Sequence, residues 1–345
     1  MKILYAIQGT GNGHLCRALD IIPALREKAD VDILVSGVQA DVGLPYEIKF
    51  NLKGLSFIFG KNGGVDLWQT FAKNKTKRLI NEIRNLPLEH YDLVINDFEP
   101  VSAWAALLKG IPCIALSHQA AVLDICSPQP IKKDPFGRFI LKRYAPAKTK
   151  FGFHFSQIND NIFTPVIRKQ VRELKIANKG HYTVYLPAYS DKKLLKILGN
   201  FPKVQWKVFS KHNKQATSFQ NIEIQPVNNE LFLESLASSK GVMCGAGFET
   251  PAEVLYLKKK LLVIPMKNQF EQHCNAAALE KLGVSVLKNL KTKQYSEIEK
   301  WLANDCIVSV DFPDRTSSII DIVLSTYHQN YPSKETSVSK DLEVI

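Results

Sequence analysis

Residues 241–283 read GVMCGAGFETPAEVLYLKKKLLVIPMKNQFEQHCNAAALEKLG. A short apolar strand at 242–244 enters a glycine turn, and a helix follows, with Thr250 as its predicted N-cap and Pro251 as its first residue. A second apolar strand, 261–265, leads through a polar loop into another predicted helix. Two successive strand-to-helix turns indicate a parallel sheet that binds its ligand at the carboxyl ends of the strands. The glycines allow a ligand to approach the backbone, and the free N–H groups at a helix start bind phosphate.

The residue pattern of this segment resembles the donor-nucleotide signature of GT-B glycosyltransferases. The pattern is Gly-x-x-Thr-x-x-Glu, then an apolar strand that ends in proline, then an acidic residue, a glutamine and Asn-Ala. It is similar to the family that adds N-acetylglucosamine to the peptidoglycan lipid intermediate, and to the UDP-glycosyltransferases. The alternative is an ordinary doubly wound α/β segment whose polar side chains are solvated. The matching residues are Gly247, Thr250, Glu253, Pro265, Glu271, Gln272 and Asn275.

The segment departs from the family pattern at two places. Glu271 stands where many relatives have aspartate. The Lys258–Lys260 run replaces the glycine that usually separates the helix from the second strand.

The resemblance implies a fold of two Rossmann-like α/β domains, each a parallel sheet flanked by helices, with the ligand cleft between them. A length of 345 residues suits two domains, and 45% hydrophobic residues are enough for a sizeable core. We expect an amino-terminal acceptor-side domain over 1–163 and a nucleotide-sugar-binding domain over 164–312. A helix over 313–330 is expected to return to the first domain, and 331–345 are expected to form a flexible tail.

Apolar periodicity predicts a first strand over 2–8 and helices from about 15 to 28, over about 67–86 and over 229–238. A second glycine loop follows the first strand. Its glycines are spaced G-x-G-x-G, and the next predicted strand, 31–35, ends in Ser36 and Gly37 without the carboxylate that binds ribose in NAD sites. This disfavours a dinucleotide cofactor. The loop, Gly9-Thr10-Gly11-Asn12-Gly13-His14, resembles the amino-terminal loop of the same GT-B families, which implies that Gly11, Asn12 and Gly13 face the acceptor and the reacting centre of the donor.

Five polar residues after predicted strands are candidates for the chemistry. His14 is the candidate base, because an imidazole titrates near neutral pH and accepts a hydroxyl proton; the alternative is a helix-capping histidine. By the resemblance, Asp97 orients this base as in a His–carboxylate pair, and Glu99 is the other carboxylate available. Arg17 is either a phosphate ligand or a solvated helix residue. His118 either lines the acceptor cleft or is a structural histidine.

The resemblance also implies how the donor is held, without a cofactor and without a metal ion. Backbone N–H groups between Gly245 and Thr250 are expected to bind the diphosphate, aided by the helix dipole. Glu253 is expected to accept hydrogen bonds from ribose, and Glu271 and Gln272 to bind the sugar hydroxyls. The predicted donor-binding residues are Gly245, Ala246, Gly247, Phe248, Thr250, Glu253, Glu271, Gln272 and Asn275.

Composition and charge favour an anionic partner and a cytoplasmic location. The net charge is +12 and the isoelectric point about 9.3, which suits phosphorylated substrates and anionic surfaces. The six cysteines show no C-x-x-C spacing, which indicates a reducing compartment and no metal site. The first residues, MKILYAIQGTG, enter a glycine loop directly and read as a strand, not a signal peptide.

Residues 128–150 combine seven lysines and arginines with aromatic and aliphatic side chains. This mixture suits peripheral contact with an anionic membrane or with a phosphorylated lipid acceptor; the alternative is an ordinary amphipathic helix with a solvated basic face. No nucleic-acid-binding motif accompanies it, so nucleic acid is not an expected partner.

These observations predict an inverting, metal-independent glycosyltransferase that moves a sugar from a nucleotide-sugar donor to a hydroxyl acceptor. UDP is favoured by family likeness, and a lipid-linked or cell-envelope glycan precursor is the expected acceptor class. Two alternatives stay open: a nucleotide-sugar 2-epimerase of the same fold, and a noncatalytic nucleotide-sugar-binding protein.

Overall fold

The chain folds into two seven-stranded sheets, each covered by helices, and a separate two-stranded ribbon. The structure is a computed structural model that describes residues 1–37, 43–55, 59–60, 64–65, 76–131 and 133–332.

The amino-terminal half contains the first sheet and the ribbon. The strands are β1 (Lys2–Gln8), β2 (Asp30–Ser36), β3 (Phe50–Leu52), β4 (Phe59–Gly60), β5 (Gly64–Val65), β6 (Leu93–Asp97), β7 (Cys113–Leu116), β8 (Thr149–Phe153) and β9 (Ile162–Phe163). The helices are α1 (Asn12–Arg26), α2 (Thr76–Asn85), α3 (Pro100–Lys109), α4 (His118–Leu123) and α5 (Pro135–Tyr144). The sheet order is β3-β2-β1-β6-β7-β8-β9, with every neighbouring pair parallel, and β4 and β5 form the ribbon.

The carboxyl-terminal half contains the second sheet. Its strands are β10 (Tyr182–Tyr185), β11 (Trp206–Ser210), β12 (Thr217–Phe219), β13 (Ile222–Pro226), β14 (Gly241–Gly245), β15 (Lys260–Ile264) and β16 (Ser285–Val286). Its helices are α6 (Lys169–Arg172), α7 (Asp191–Leu198), α8 (Asn229–Ser238), α9 (Glu249–Tyr256), α10 (Phe270–Lys281), α11 (Tyr295–Ala303) and α12 (Thr316–Asn330). The sheet order is β12-β13-β11-β10-β14-β15-β16, in which only β12 is antiparallel to its neighbour.

The apolar runs of the sequence become the buried central strands, because a parallel sheet is covered by helices on both faces. Strand β6 is fully buried, and β1 is buried from its second residue onward. Their register pairs Ile3 with Leu93 and Ile7 with Asp97. The glycine loop after β1 and the carboxylate at the end of β6 therefore emerge at the same edge of the sheet.

The last helix, α12, packs against α1 in the amino-terminal half. Ile320 of α12 and Ile22 of α1 belong to one buried apolar cluster, which also includes side chains of the second sheet. At the surface, Lys28 pairs with Asp321 at 2.7 Å. The two halves thus share one continuous core.

The helix after the signature glycines begins earlier than the sequence predicts. It starts at Glu249 with Phe248 at the N-cap, and no side chain caps it, so the prediction of Thr250 as N-cap was wrong. Pro251 is therefore the third helical residue. Proline is tolerated at this position because the N–H groups of the first turn have no intrahelical acceptor. Glu253 consequently lies in the second turn.

Other boundaries differ by a few residues. The first helix begins at Asn12, three residues before the predicted start, because Gly11 with φ 90° makes the turn. The helix predicted over 67–86 is observed over 76–85, and residues 66–75 lie outside the described part, as do 333–345 of the expected tail. Among the described residues, no helix has the length and apolar character needed to cross a membrane.

Candidate functional site

A cleft of about 590 Å³ lies between the two halves, at the carboxyl ends of both sheets. This volume is within the range of small-molecule sites, and the position matches the ligand-binding edge of parallel sheets. The amino-terminal wall comes from the loop after β1, the start of α1, α4 and α5, and the opposite wall from α9, α10 and the loop before α8.

His14 lies on the first turn of α1 and lines this cleft. Its Nδ1 lies 2.8 Å from Oδ1 of Asp97, which is completely buried. Donation of the Nδ1 proton to this carboxylate leaves a lone pair on Nε2, which lies 3.4 Å from the amide nitrogen of Gln119. The imidazole is therefore held in the tautomer that accepts a proton.

Asp97 is held on its other side by Arg17, which is also buried. The Arg17 guanidinium donates to both carboxylate oxygens, at 2.7 to 3.2 Å. Burial alone raises the pKa of Asp97, but Arg17 and His14 outweigh it, so that the pKa is lowered. Of the two interpretations of Arg17, a solvated helix residue is wrong.

Glu249, the first residue of α9, pairs with Arg17 across the cleft. Gly13 permits this approach, because a Cβ there would lie 3.1 Å from Cγ of Glu249. Burial raises the pKa of Glu249 to about 7, although Arg17 acts in the opposite direction. The sequence analysis did not identify Glu249, although the residue lies within the signature.

The backbone conformation at Phe98 orients the carboxylates of Asp97 and Glu99 in different directions. Phe98 has φ 57°, in the left-handed region that non-glycine residues rarely adopt, and its ring stacks on Tyr144 at 4.6 Å. Glu99, the alternative partner for His14, instead caps α3 by accepting from the N–H groups of Val101 and Ser102. Asp97 is thus the carboxylate that contacts His14.

The start of α9 presents an uncapped helix terminus to the cleft. No side chain accepts a hydrogen bond from its first N–H groups. Gly247 lines the cleft, and a Cβ added there would have no atom within 4 Å. Unpaired N–H groups, the helix dipole and open space are what a phosphate requires.

Glu253 is buried and bound by Arg168 through two hydrogen bonds, at 2.5 and 3.0 Å. Arg168 also donates to Oδ1 of Asn229, at the start of α8. Both members of the ion pair line the cleft. Nothing in the basic segment 164–180 marks Arg168 as a site residue, so the sequence analysis missed it.

His118 lines the cleft and joins the two halves through Asn275, which lies behind the opposite wall. The imidazole nitrogens lie 2.8 Å from the carbonyl oxygen of Phe153 and 2.7 Å from Oδ1 of Asn275. The ring stacks on Phe248 at 3.9 Å. Burial lowers the pKa of His118 to about 4, although both hydrogen bonds act in the opposite direction. Asn275 also donates to the carbonyl oxygen of Ala246 and so fixes the donor loop.

Glu271 and Gln272 lie at the start of α10 and line the cleft. Glu271 accepts a hydrogen bond from Gln119 at 3.0 Å, and burial raises its pKa. Gln272 accepts from the backbone N–H of Met266, which leaves its amide nitrogen for a ligand. Gln119 therefore connects Glu271 with His14, a role that the sequence analysis did not assign.

The predicted site residues divide into two groups. Twelve of them line the cleft: Gly11, Asn12, Gly13, His14, Arg17, His118, Gly247, Phe248, Thr250, Glu253, Glu271 and Gln272. Asp97, Gly245, Ala246 and Asn275 lie behind its walls, where Asp97 and Asn275 hold residues that reach the cleft. In the described part of the chain, no group of three or more His, Cys, Asp or Glu side chains is arranged to hold a metal ion.

The family assignment follows from the sequence match to the model of glycosyl transferase family 1, which covers residues 1–305. The chain belongs to glycosyl transferase family 1. It is a glycosyltransferase with the two Rossmann-like domains of the GT-B fold. No curated protein sequence matches it significantly.

Solved structures share this fold over almost the whole chain. MurG of Acinetobacter baumannii has a TM-score of 0.57 at 16% identity, over 94% of this chain and 99% of that one. UGT2 of Phytolacca americana, complexed with UDP-2fluoro-glucose and pterostilbene, has a TM-score of 0.56 at 14% identity, over 96% of this chain and 95% of that one. A UDP-N-acetylglucosamine 2-epimerase has a TM-score of 0.56 at 14% identity, over 95% of this chain and 97% of that one. At identities this low, the structural similarity establishes the fold of this chain and does not identify its substrates.

Proposed function

We propose that this glycosyltransferase moves a sugar from a UDP-sugar to an acceptor hydroxyl, with inversion at the anomeric carbon and without a metal ion. The observation that carries the proposal is the contact of His14 with Asp97 at 2.8 Å, opposite the uncapped start of α9. The base and the helix terminus stand on opposite walls of one cleft. Attack from one wall and departure toward the other inverts the anomeric centre.

His14 removes the acceptor proton through Nε2. Asp97 fixes the tautomer and stabilises the imidazolium that forms, as the carboxylate of a catalytic His–Asp pair does. The acceptor oxygen then attacks the anomeric carbon and the glycosidic bond to the diphosphate breaks. Closure of the two halves over the bound substrates excludes water, which limits hydrolysis of the donor.

The leaving diphosphate is stabilised by α9. Its first N–H groups and its dipole meet the charge that develops on the leaving oxygen, which is the role that a metal ion has in other transferases. Glu253, held by Arg168, accepts hydrogen bonds from the ribose hydroxyls. The loop at Val227 lies against the uracil ring of the nucleotide. Glu271 and Gln272 bind the sugar hydroxyls.

A lipid-linked acceptor is supported by the surface beside the cleft, which we call the 125–148 surface. Its exposed apolar residues are Ile125, Ile131, Phe136 and Phe139, of which Phe136 also lines the cleft. Its exposed basic residues are Lys133, Lys142, Arg143 and Lys148. Apolar side chains ringed by cations are suited to peripheral binding on an anionic membrane, which would bring the cleft to a lipid substrate.

The transfer is tested by product analysis with UDP-sugars, an extract of membrane lipids and EDTA. The proposal expects UDP and a glycosylated lipid whose anomeric proton coupling shows inversion. Retention of configuration, or activity that requires added magnesium, would contradict the mechanism.

An epimerase is the second candidate, because Glu249 and Glu271 place two carboxylates with raised pKa on the donor side of the cleft. An epimerase needs acid and base groups at the sugar and no external acceptor. The same product analysis separates the candidates: a 2-epimeric UDP-sugar formed without acceptor supports the epimerase, and a glycosylated product supports the transferase.

The membrane contact predicts that the double variant Phe136→Ser/Phe139→Ser loses binding to anionic vesicles in a sedimentation assay. Each lost aromatic side chain removes apolar area that inserts into the lipid interface. The matched control is Leu107→Ser/Leu108→Ser, an exposed apolar pair on α3. Equal loss in the control, or undiminished binding in the double variant, would contradict the assignment of this surface.

A further inference from the structure

Arg17 joins three side chains at the cleft, those of His14, Asp97 and Glu249, into one network across both halves. Its guanidinium contacts both oxygens of Asp97 and, through Nη1, the carboxylate of Glu249. Its Nη2 also lies 3.1 Å from Nδ1 of His14. The base and its carboxylate partner therefore share a buried cation.

The charges of this network indicate why a second carboxylate is present. With Asp97 alone, Arg17 would compensate its charge, and a protonated His14 would have no net counter-charge at a position where its side chain is only 13% exposed. Such an imidazolium is disfavoured by desolvation. When ionised, Glu249 adds the second negative charge, so that two carboxylates face one guanidinium and one protonated imidazole. Protonated His14 in turn lowers the pKa of Glu249 and so favours this ionised form.

We propose that Glu249 is a positioning residue for the base: by pairing with Arg17 it leaves the charge of Asp97 available to stabilise protonated His14. This rests on the proposed role of His14. Glu249 belongs to the donor-binding helix and His14 to the first domain, so the base is complete only when both walls of the cleft are together. Proton removal is thereby coupled to assembly of the donor site.

Other ionisable groups also act on these two residues. His14 interacts electrostatically with the carboxylate of Glu271 and with the imidazole of His118. Glu249 is affected by Glu253 of the same helix, and it acts on the buried phenol of Tyr5 on β1. A comparison of variants at residue 249 alone isolates its contribution.

The test is a titration of the histidine Cε1–H signals by NMR in the protein without substrate. The chain has 8 histidines, and the His14 signal is the one missing from His14→Gln. In Glu249→Gln, the midpoint of the His14 titration is expected to move toward acid by roughly half a pH unit or more, as loss of a nearby opposite charge requires. In Glu249→Asp, which keeps the charge, the midpoint should stay close to the wild-type value.

The matched control is Asp20→Asn. Asp20 also lies on α1, and its carboxylate joins the two halves by accepting from the backbone N–H of Lys169 at 3.0 Å, without contact to Arg17. It should leave the His14 midpoint unchanged. An unchanged midpoint in folded Glu249→Gln, or an equal shift in Asp20→Asn, overturns the proposal.

A second measurement covers the case in which Glu249→Gln does not fold. In the wild-type protein, the Glu249 carboxyl-carbon signal, assigned by its loss in Glu249→Asp, is expected to report the His14 titration as a coupled step. A titration curve of the Glu249 carboxyl carbon that shows no step at the His14 midpoint overturns the inference. Neither experiment uses a donor, so a protein with the coupled network but no sugar transfer refutes the proposed function and not this inference.

Discussion

Single side chains decide the chemistry of this cleft through the contacts of His14. Asp97 fixes the ring by its Nδ1 contact at 2.8 Å, and Arg17 holds Asp97 by three hydrogen bonds. Buried groups held this tightly are already oriented for reaction, so little reorganisation is needed when a proton is transferred. The imidazole is the group whose loss should affect the chemical step and leave donor binding intact.

His14→Gln is predicted to lower kcat by roughly 10² to 10⁴, the usual contribution of a general base, with the donor Kd unchanged. Initial rates of UDP release and donor titrations measure the two quantities separately. His90→Gln, at an exposed histidine of the same domain, is the control and should behave as wild type. A His14→Gln enzyme with wild-type kcat would remove His14 from the mechanism.

The sequence predicted the candidate pair His14 and Asp97 because each follows an apolar strand at the ligand-binding edge. It did not predict Glu249 or Arg168. Glu249 pairs with Arg17, which is 232 positions away, and Arg168 with Glu253, which is 85 away. Such pairs depend on how the two domains meet, and no local spacing encodes them. For the same reason the sequence left open whether Arg17 was solvated.

Helix α9 is the element to which the proposed mechanism assigns the donor diphosphate. Its first turn lacks a side-chain cap, and the preceding Gly247 leaves open space beside it. In most helices a capping side chain binds these N–H groups, and here they stay available to an anion. Under the proposed mechanism, these N–H groups bind the diphosphate of the donor.

Gly247→Ala is predicted to fold normally and to raise the donor Kd by about tenfold or more, because the new methyl group occupies space at the phosphate-binding N–H groups. Its Cβ meets no atom within 4 Å in the free protein. Gly43→Ala, which also has nothing within 4 Å, is the control. Calorimetric titration with the UDP-sugar measures the effect, and an unchanged Kd would show that the diphosphate lies elsewhere.

Most central strands and helices were predictable from apolar runs and glycine turns. Helix α8 matches its predicted range, 229–238, whereas strand β12 was missed. All three residues of β12 are exposed and it pairs only at the sheet edge, so it carries no buried pattern to detect. Helix starts were less predictable, since backbone conformation at Gly11 and Phe248 sets them and neither position carries a capping side chain.

The whole molecule depends on polar contacts that cross between its halves. His118 meets Asn275, Arg17 meets Glu249, and Gln119 meets Glu271. The sequence predicted two α/β halves with a cleft between them, and comparison of the whole chain with GT-B structures confirmed that architecture. The side-chain partners across the cleft could not be predicted, because the relative placement of the halves is a property of the folded chain.

His118 predicts that the protein loses stability in mild acid. Its pKa in the folded protein is about 4, against 6.5 for a free imidazole, so between these values the unfolded state binds the additional proton. The free energy of unfolding therefore falls as the pH drops from 6.5 toward 4, by up to about 3 kcal/mol from this residue.

Urea unfolding of His118→Gln over this pH range checks the prediction. The variant lacks the titrating ring, so its stability should depend less on pH than that of the wild type. His90→Gln should follow the wild-type curve. If the free energy of unfolding varied with pH in the same way in wild type and His118→Gln, His118 would not be the cause of this pH dependence.

The most direct test of the account is a thermal-shift comparison of UDP-, GDP- and dTDP-sugars, with EDTA or magnesium, on wild type, His14→Gln and Gly247→Ala. A ligand at 100 times its Kd stabilises the native state by about 2.7 kcal/mol. The account predicts a metal-independent rise in Tm with UDP-sugars that His14→Gln keeps and Gly247→Ala diminishes. No rise with any nucleotide sugar at millimolar concentration, or an undiminished rise in Gly247→Ala, would contradict a donor site at the start of α9.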